Sequence, residues 1–419
     1  MKNTKKRILS ALLTVIMILT LIPLGGISPF AAEADTQDLS SYSVGDIITF
    51  GSYPQSRVTD SSLISAIEAA GSKLSWVNYG YYSGTGDDSD GNMKPDEDIM
   101  CYKDISYNGC TYRAVQINKY RSRNTGYSKD NYPHQRENGY NPDNIYYFKY
   151  EPLTWRILDP SEGFVMCTAA VDAQAFNNYV VYDSSSDEYY GDSAKTYYAS
   201  NWENSSLRYW LNNDFYSIAF SSTEKSQIKT TYNENKSIYK SQYDSADTSD
   251  KIFLLSQDEV INSKYGFSSN NKTLDTARRI KSTDYAKCQG CWQSTAQEYN
   301  GNTCWILRSS TTSHGAADVD GGGAAHGYRY ANSAYSSIVP AFRLNLKPVV
   351  ISLSTPTLSA SNVASSGKIK LTWNAVDGAK EYKVYRAASK DGTYIYIKTT
   401  ASTSFINTGA AADKSIKII

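Results

Sequence analysis

The chain of 419 residues has only three histidines, and two of them, His314 and His326, bracket the string GAADVDGGGAA, which contains Asp318 and Asp320. Imidazoles and carboxylates gathered on a glycine-rich loop have the donors to bind a polar ligand, hold a metal or move a proton. A metal site on a helix needs ligands one turn apart, and that spacing is absent here. Ser313-His314 lacks the strand–turn–helix context that exposes a nucleophilic serine. Asp318, Asp320 and His326 therefore stand as candidate ligand-binding residues on a solvated loop. Sugar hydrolysis needs a pair of carboxylates; acids are plentiful, and no motif selects two of them.

The acidic string GDDSDGNMKPDED, residues 86–98, has the composition of a calcium loop. Counted from Gly86 as an EF-hand, Asp88 and Asp90 fall at positions three and five, Gly91 at six and Glu97 at twelve. Position one has no side-chain oxygen, and Pro95 opposes an exit helix, which argues against an EF-hand. A looser calcium site from Asp87, Asp88, Asp90 and Asp96 stays open beside the plain alternative of an exposed acidic loop. Apart from that calcium, no cofactor is expected.

Six cysteines are present: Cys101, Cys110, Cys167, Cys288, Cys291 and Cys304. Cys101 and Cys110 flank the turn signal Tyr107-Asn108-Gly109 and are the best candidates for a disulfide. Cys288-Gln-Gly-Cys291 has the spacing of a redox pair, half a zinc site or a tight bridge. A structural zinc needs four ligands, and no second C-x-x-C or C-x-x-H exists, so a bridge or free thiols is the expected state. The 36 tyrosines are the compositional extreme. A tyrosine offers a flat apolar face with a polar tip, which suits wet recognition surfaces. Tyr79, Tyr81 and Tyr82 lie in a polar stretch and are candidates for stacking on sugar rings or peptides, whereas Trp155, Trp210, Trp305 and Phe342 are expected in the core.

The elements that must position these residues begin after residue 34. Lys2, Lys5, Lys6 and Arg7 precede an apolar stretch from Ile8 to Leu24, and Ala32-Glu33-Ala34 gives a small-residue cleavage site: the layout of a secretory signal over residues 1–34. Pro23, Gly25 and Gly26 cut the stretch short of a membrane span. Removing the signal takes four basic residues and Glu33 from a balance of 42 against 42 and leaves a net charge of −3. That charge holds no nucleic acid backbone, and no transmembrane helix is expected after signal removal. The expected setting is secreted or extracellular, with association to the cell wall open, and there disulfides are permitted.

About 385 mature residues exceed one core, so two or more domains are expected. DIITFGSYP and LTWRILD alternate like strands, and SSLISAIEAA repeats apolar residues at helical spacing. In NSSLRYWLNNDFYSIAF, Leu207, Trp210, Leu211, Phe215 and Ile218 make one helix face, and Ser205 or Ser206 can cap it. Residues 78–150 read as a long polar insert, and loops of that size usually carry function. A Ser/Thr/Pro-rich linker at 348–356 leads into KIKLTWNAVDGAKEYKVYRAASKDGTYIYIKTT, which alternates at period two around Asp377-Gly378 and Asp391-Gly392 turns.

Nine strings, in order, resemble one uncharacterised family of bacterial surface domains, the domain of unknown function six-two-seven-three. They run from ITFGSYPQ at 48–55 through MKPDEDIMCYKD, YRAV, YYFKYEPLTWRILD, MCTAAVDAQAFNN, NSSLRYWLNNDFYSIAFSSTEKSQI, DKIFLLSQDEV and TDYAK to CWILRSS, across nearly all of residues 44–347. The family's closing Gly-Val-Arg-Pro-Ala is here Ser337-Ile338-Val339-Pro340-Ala341, and Arg343 offers a displaced guanidinium. The layout also resembles the C-type lectin fold in the version of formylglycine-generating enzymes. Those enzymes use paired cysteines, but the motif around Cys288, Cys291 and Cys304 differs, so their catalytic residues are not carried over. The C-terminal segment resembles a fibronectin type III domain through Trp373, Tyr382 and Tyr385, and KSIKII ends it short of a full sandwich, as a fragment or an incomplete domain.

The resulting fold class is α+β: a C-type-lectin-like mixed domain with long loops over 40–347, holding the insert 78–150, then a partial all-β fibronectin type III sandwich over 357–419. The expected function is non-enzymatic carbohydrate binding or adhesion toward an extracellular glycan or protein. The alternative is an extracellular hydrolase or oxidase acting on polymers.

Overall fold

The computed structural model describes residues 38–79, 99–125, 134–346, 355–363, 368–376, 379, 381–387, 393–408 and 415–418. The chain divides into two compact units, one ending at Leu346 and one beginning at Lys347.

In the first unit an eight-stranded sheet is built from β1 (Ile47–Arg57), β2 (Val77–Asn78), β3 (Met100–Tyr107), β4 (Cys110–Ile117), β5 (Asn144–Asp159), β6 (Phe164–Cys167), β7 (Ile228–Lys229) and a closing strand, Ala341–Leu344. Its order is β7, closing strand, β6, β5, β4, β3, β2, with β1 also paired to β5. Phe148 stands opposite both Arg57 of β1 and Arg113 of β4, and Trp155 opposite both Ile48 of β1 and Cys167 of β6. A strand has two edges, so β1 runs along one edge of β5 while β4 and β6 share the other. The closing strand lies between β6 and β7, with Phe342 opposite Val165 and Leu344 opposite Ile228.

The hairpin β3–β4 turns at Asn108-Gly109, both at positive φ (48° and 72°), as a two-residue turn between twisted strands requires. Along β4, Tyr112 and Ala114 face one side and join Ile67 of the helix α1 (Ser61–Ala70), Ile105 and Tyr147 in a satellite core. Val115 and Ile117, at the alternate positions, enter the main core with Phe148 and Trp155. Residues 100–117 and the start of β5 are thus buried sheet, and the expectation of a polar insert over 78–150 does not hold for them. Tyr, Lys and other polar residues in these strands lower their mean hydropathy without removing the buried face.

Ser205 caps the helix α2 (Ser206–Trp210) by accepting from the Arg208 N–H at 3.1 Å. The helical path continues through a π-type turn, Leu211–Phe215, and a last turn, Tyr216–Ala219. Leu207, Trp210, Leu211 and Phe215 are buried, as their spacing demands. Asn212 anchors this segment: its side chain donates to Ile252 O at 2.9 Å and accepts from Lys251 N at 2.7 Å. Trp155, Trp210 and Trp305 and Phe342 lie in the main core, and Trp155 donates its indole N–H to Phe50 O at 2.7 Å.

A second, five-stranded sheet has the order Gly327–Tyr330, Gly315–Val319, Trp305–Thr312, Ser337–Ile338, Asp172–Ala173. Trp305–Thr312 pairs antiparallel with Gly315–Val319 and parallel with Ser337–Ile338. In the second unit, Lys368–Trp373 pairs with Leu358–Val363 and Ser404–Asn407, and Tyr382–Ala387 pairs with Ile395–Thr400 and Ser415–Ile418. The two three-stranded sheets share one core, Leu371 and Trp373 from the first against Tyr382 and Val384 from the second. Sheets therefore dominate over helices in both units.

Among the described residues, no helix is long and apolar enough to cross a membrane. Residues 1–34, expected as a signal, lie outside them. Ile117→Ala tests the burial of the 100–117 hairpin. The substitution is expected to destabilise the protein by about 2–5 kcal/mol in urea unfolding. A loss under about 0.5 kcal/mol, the behaviour of an exposed insert, would contradict it.

Candidate functional site

The glycine-rich loop resolves into a set of internal bonds. Asp320 Oδ1 accepts from Gly322 N and Ala324 N, each at 2.9 Å, and so shapes the turn. Asp318 is 4 % exposed and accepts from Arg329 Nε at 2.9 Å. Burial raises its pKa, while the Arg329 guanidinium works in the opposite direction. His326 is exposed on the same loop. Asp318 and Asp320 thus serve the fold; of the three expected loop residues Asp318 is buried, Asp320 half-buried and His326 exposed.

Tyr79 is 2 % exposed, and its hydroxyl bonds to Tyr285 Oη at 3.0 Å and accepts from Gln289 Nε2 at 3.2 Å. Its expected role on an exposed surface is therefore corrected: it belongs to the wall of a narrow cleft of about 70 Å³ with Tyr53, Tyr102, Arg113, Trp210 and Asp214. Tyr81, Tyr82, Asp87, Asp88, Asp90 and Asp96 lie outside the described residues. Among the described residues, no group of three or more His, Cys, Asp or Glu side chains converges as a metal site.

Arg113 is the charged centre of that cleft's floor and is 1 % exposed. Its Nε and Nη2 donate to the two oxygens of Asp104 at 2.8 and 2.7 Å, and Nη2 also donates to Tyr150 Oη at 2.7 Å. The Tyr102 ring lies 4.1 Å from the guanidinium carbon. Nearby, Tyr53 Oη donates to Asp172 Oδ2 at 3.1 Å. Burial pushes the Asp172 carboxyl up to about 7, against the pull of its bond from Ala173 N and of Arg121 and Arg113. These groups hold one another, as buried charges must.

All six cysteines are free, which leaves the expected bridges unformed. Cys110 stands opposite Tyr107 and Cys101 opposite Gln116, six rungs farther along the hairpin. At about 3.4 Å per residue that separation is roughly 20 Å, well beyond the reach of a disulfide. Cys288 ends the helix Asp284–Cys288 and Cys291 follows the Gly290 turn at φ 98°, both fully buried. Desolvation raises both thiols, Cys291 to about 11, and Cys291 Sγ donates to Ser282 Oγ at 3.1 Å. A thiol kept protonated is a poor nucleophile and metal ligand.

The exposed chemistry is aromatic. Tyr182 and Tyr189 lie on the hairpin formed by Val181–Asp183 and Glu188–Tyr190, with ring centroids 4.9 Å apart. Tyr189 stacks on His314 at 3.9 Å and 14°, and His314 stacks on Tyr330 at 4.2 Å and 8°. Tyr328 stands 5.9 Å from Tyr330. Tyr182, Tyr328 and Tyr330 are 49 %, 53 % and 48 % exposed, so five rings form a continuous row at the surface. The signal in the sequence is Gly-Tyr-Arg-Tyr: residues two apart share a strand face, which puts Tyr328 and Tyr330 together and turns Arg329 back to Asp318.

Residues 173–346 match the family model of a domain of unknown function (DUF6273). No curated protein matches the chain. The DUF6273 match takes in the whole aromatic row and the glycine-rich loop, whereas Arg113, Asp104 and Tyr79 precede it. It begins at 173, well inside the span of 44–347 over which the strings resemble that family.

His314 and Asp172 give opposite pH responses. Burial lowers the His314 pKa to about 4 from 6.5, so the unfolded chain binds the extra proton between those values and stability falls as the pH drops from 6.5 to 4. The Asp172 carboxyl is raised to about 7 from 3.8, so the folded chain binds the extra proton and stability falls as the pH rises across that window. The stability of His314→Gln relative to the unsubstituted protein is expected to increase as the pH falls from 6.5 to 4, and that of Asp172→Asn to increase as it rises from 4 to 7. Urea unfolding at several pH values checks both, and a pH-independent difference for either variant removes that group's assignment.

Proposed function

We propose that the chain is a secreted or cell-surface bacterial binding protein that recognises an extracellular glycan through the row Tyr182, Tyr189, His314, Tyr330 and Tyr328. The observation carrying this reading is five adjoining rings at the surface, three of them about half exposed. Large exposed apolar surface rimmed by polar groups marks interaction sites. Tyrosine suits a sugar, because the ring meets the apolar C–H face while the hydroxyl meets the ring's oxygens. Residues 1–34 supply the export signal in this reading. The first unit is a C-type-lectin-like scaffold and the second a fibronectin type III-like spacer, a reading supported by the two antiparallel sheets closing on Trp373 and Tyr382.

The reading assigns no catalytic step and no required cofactor. Its support is that the thiols are desolvated, Asp318 is held by Arg329, and His314 lies stacked between two tyrosines. Retention on a panel of immobilised polysaccharides, with and without calcium, tests it. Tyr182→Ala, Tyr328→Ala and Tyr330→Ala are each expected to weaken retention by about 1 kcal/mol, roughly fivefold, with unfolding midpoints unchanged. Unaltered retention in all three variants sinks the proposal. Polymer cleavage or oxidation that His314→Ala or Cys288→Ser abolishes establishes the rival enzymatic reading.

A further inference from the structure

A polar cleft in the first unit has about 260 Å³ of open volume, and its wall includes Tyr232, Glu234, Asp258, Arg308, Ser309 and Arg343. It shares no residue with the aromatic row, so the two sites stand or fall separately. Arg308 comes from Trp305–Thr312 of the second sheet and Arg343 from the strand that closes the first.

The two guanidiniums are mounted on a pair of stacked rings. Arg343 lies over Phe164, 4.1 Å from the centroid, and Arg308 over Phe253, 5.6 Å away. Phe164 and Phe253 stack on each other at 5.9 Å and 28°. Arg308 is 5 % exposed; its Nη1 donates to Leu254 O at 2.7 Å and to Glu259 Oε2, while its Nε has no acceptor. Arg343 Nη1 is also without a hydrogen-bond acceptor, the carboxylate of Glu162 standing 3.9 Å off. Glu259 is committed to Arg308 and to the N–H of Ser256 at 2.8 Å. Arg308 Nε and Arg343 Nη1 are shielded from solvent, so an incoming anion meets the part of Arg343 that is open to the cleft, its side chain being 15 % exposed. The two guanidiniums at this wall have one hydrogen-bonded carboxylate between them, Glu259.

The rim has the complementary chemistry. Glu234 and Asp258 are exposed carboxylates that accept hydrogen bonds, and Lys236 is paired with Asp244 at 3.3 Å. Tyr232 is 66 % exposed, with its hydroxyl turned to Asp247 at 2.5 Å, so its ring offers a plate beside the cleft. A carboxylate matches the planar fork of an arginine. Hydroxyl groups match the rim carboxylates, and a pyranose ring matches the tyrosine plate.

We propose that the cleft walled by Arg308, Arg343, Glu234, Asp258 and Tyr232 binds a carboxylate-bearing sugar, with the acid group at the two arginines and the hydroxyls at the rim. Calorimetric titration of the full chain with glucuronate, glucose, alanine and sulfate tests this. Glucuronate is expected to saturate one site and to bind at least about tenfold more tightly than glucose, the worth of one charge-assisted contact. Arg343→Gln is expected to weaken glucuronate about tenfold. Tyr232→Ala, at an exposed position that spares the fold, is expected to weaken it about fivefold.

Equal affinity for glucose and glucuronate overturns the proposal, as does a titration in which glucuronate does not saturate. Stronger binding of alanine makes this an amino-acid site and overturns it, and binding of sulfate with no preference for the sugar acid makes it a bare anion site and does the same. Loss of polysaccharide retention through the aromatic row, with glucuronate saturation intact, leaves this site standing and removes the other.

Discussion

Strand β5 is paired along both of its edges. Over its 16 residues β1 occupies one side, and β4 and β6 divide the other. Backbone groups in the middle of a protein must find partners, and here one long strand supplies them to three neighbours at once. Trp155 sits where β1 and β6 both pair with β5, and it anchors the aromatic cluster with Phe342 at 4.5 Å and Phe220 at 6.2 Å. Bulges in the β1–β5 pairing between Thr49 and Ser52 let β1 bend around this cluster. Gly51 lies inside that bulge at φ 73°, where a side chain would meet Ala219 O and the Phe220 ring at 2.7 Å. The same bend thus lets the helical segment ending at Ala219 come down on the sheet.

Most of the groups that look reactive in this chain are consumed by holding that arrangement. Arg113 takes both oxygens of Asp104 and sits among tyrosine rings, and Arg278 donates to five backbone carbonyls including Gly323 O and Val260 O. Buried charges persist only when nearly every donor is matched. Arg308 and Arg343 depart from that rule at the wall of an open cleft, and the aromatic row departs from the companion rule that large rings hide. The aromatic row lies on a hairpin, a turn and an edge strand, where binding groups are usually found, whereas the two arginines stand on interior strands of the two sheets.

Much of this was legible in the residues. The helical face of Leu207, Trp210, Leu211 and Phe215 follows from spacing alone, as does the Asn108-Gly109 turn, and both are present. The turn also settles the cysteines, because a two-residue turn at 108 and 109 pairs Cys110 with Tyr107 and places Cys101 far away; nearness in sequence is no guide to register. The strands at 100–117 were hidden because tyrosine counts as polar in a composition and as apolar in a core, and Tyr112 and Tyr147 do the second. The site was harder to read. A histidine flanked by serine suggests chemistry, and nothing local announces that Tyr189, 125 residues earlier, lies flat against it.

The closing strand has a consequence for how the molecule is made. Ala341–Leu344 slots between β6 and β7, so the large sheet is left with a gap until nearly the last residue of the first unit has been synthesised. Val165 must wait for Phe342, a partner separated from it by about half the unit's length. Such distant pairings slow folding and leave unpaired strand edges open in the meantime. A chain emerging in order from its N-terminus therefore leaves this sheet incomplete, and open to threading or capture, until nearly all of the first unit has been made.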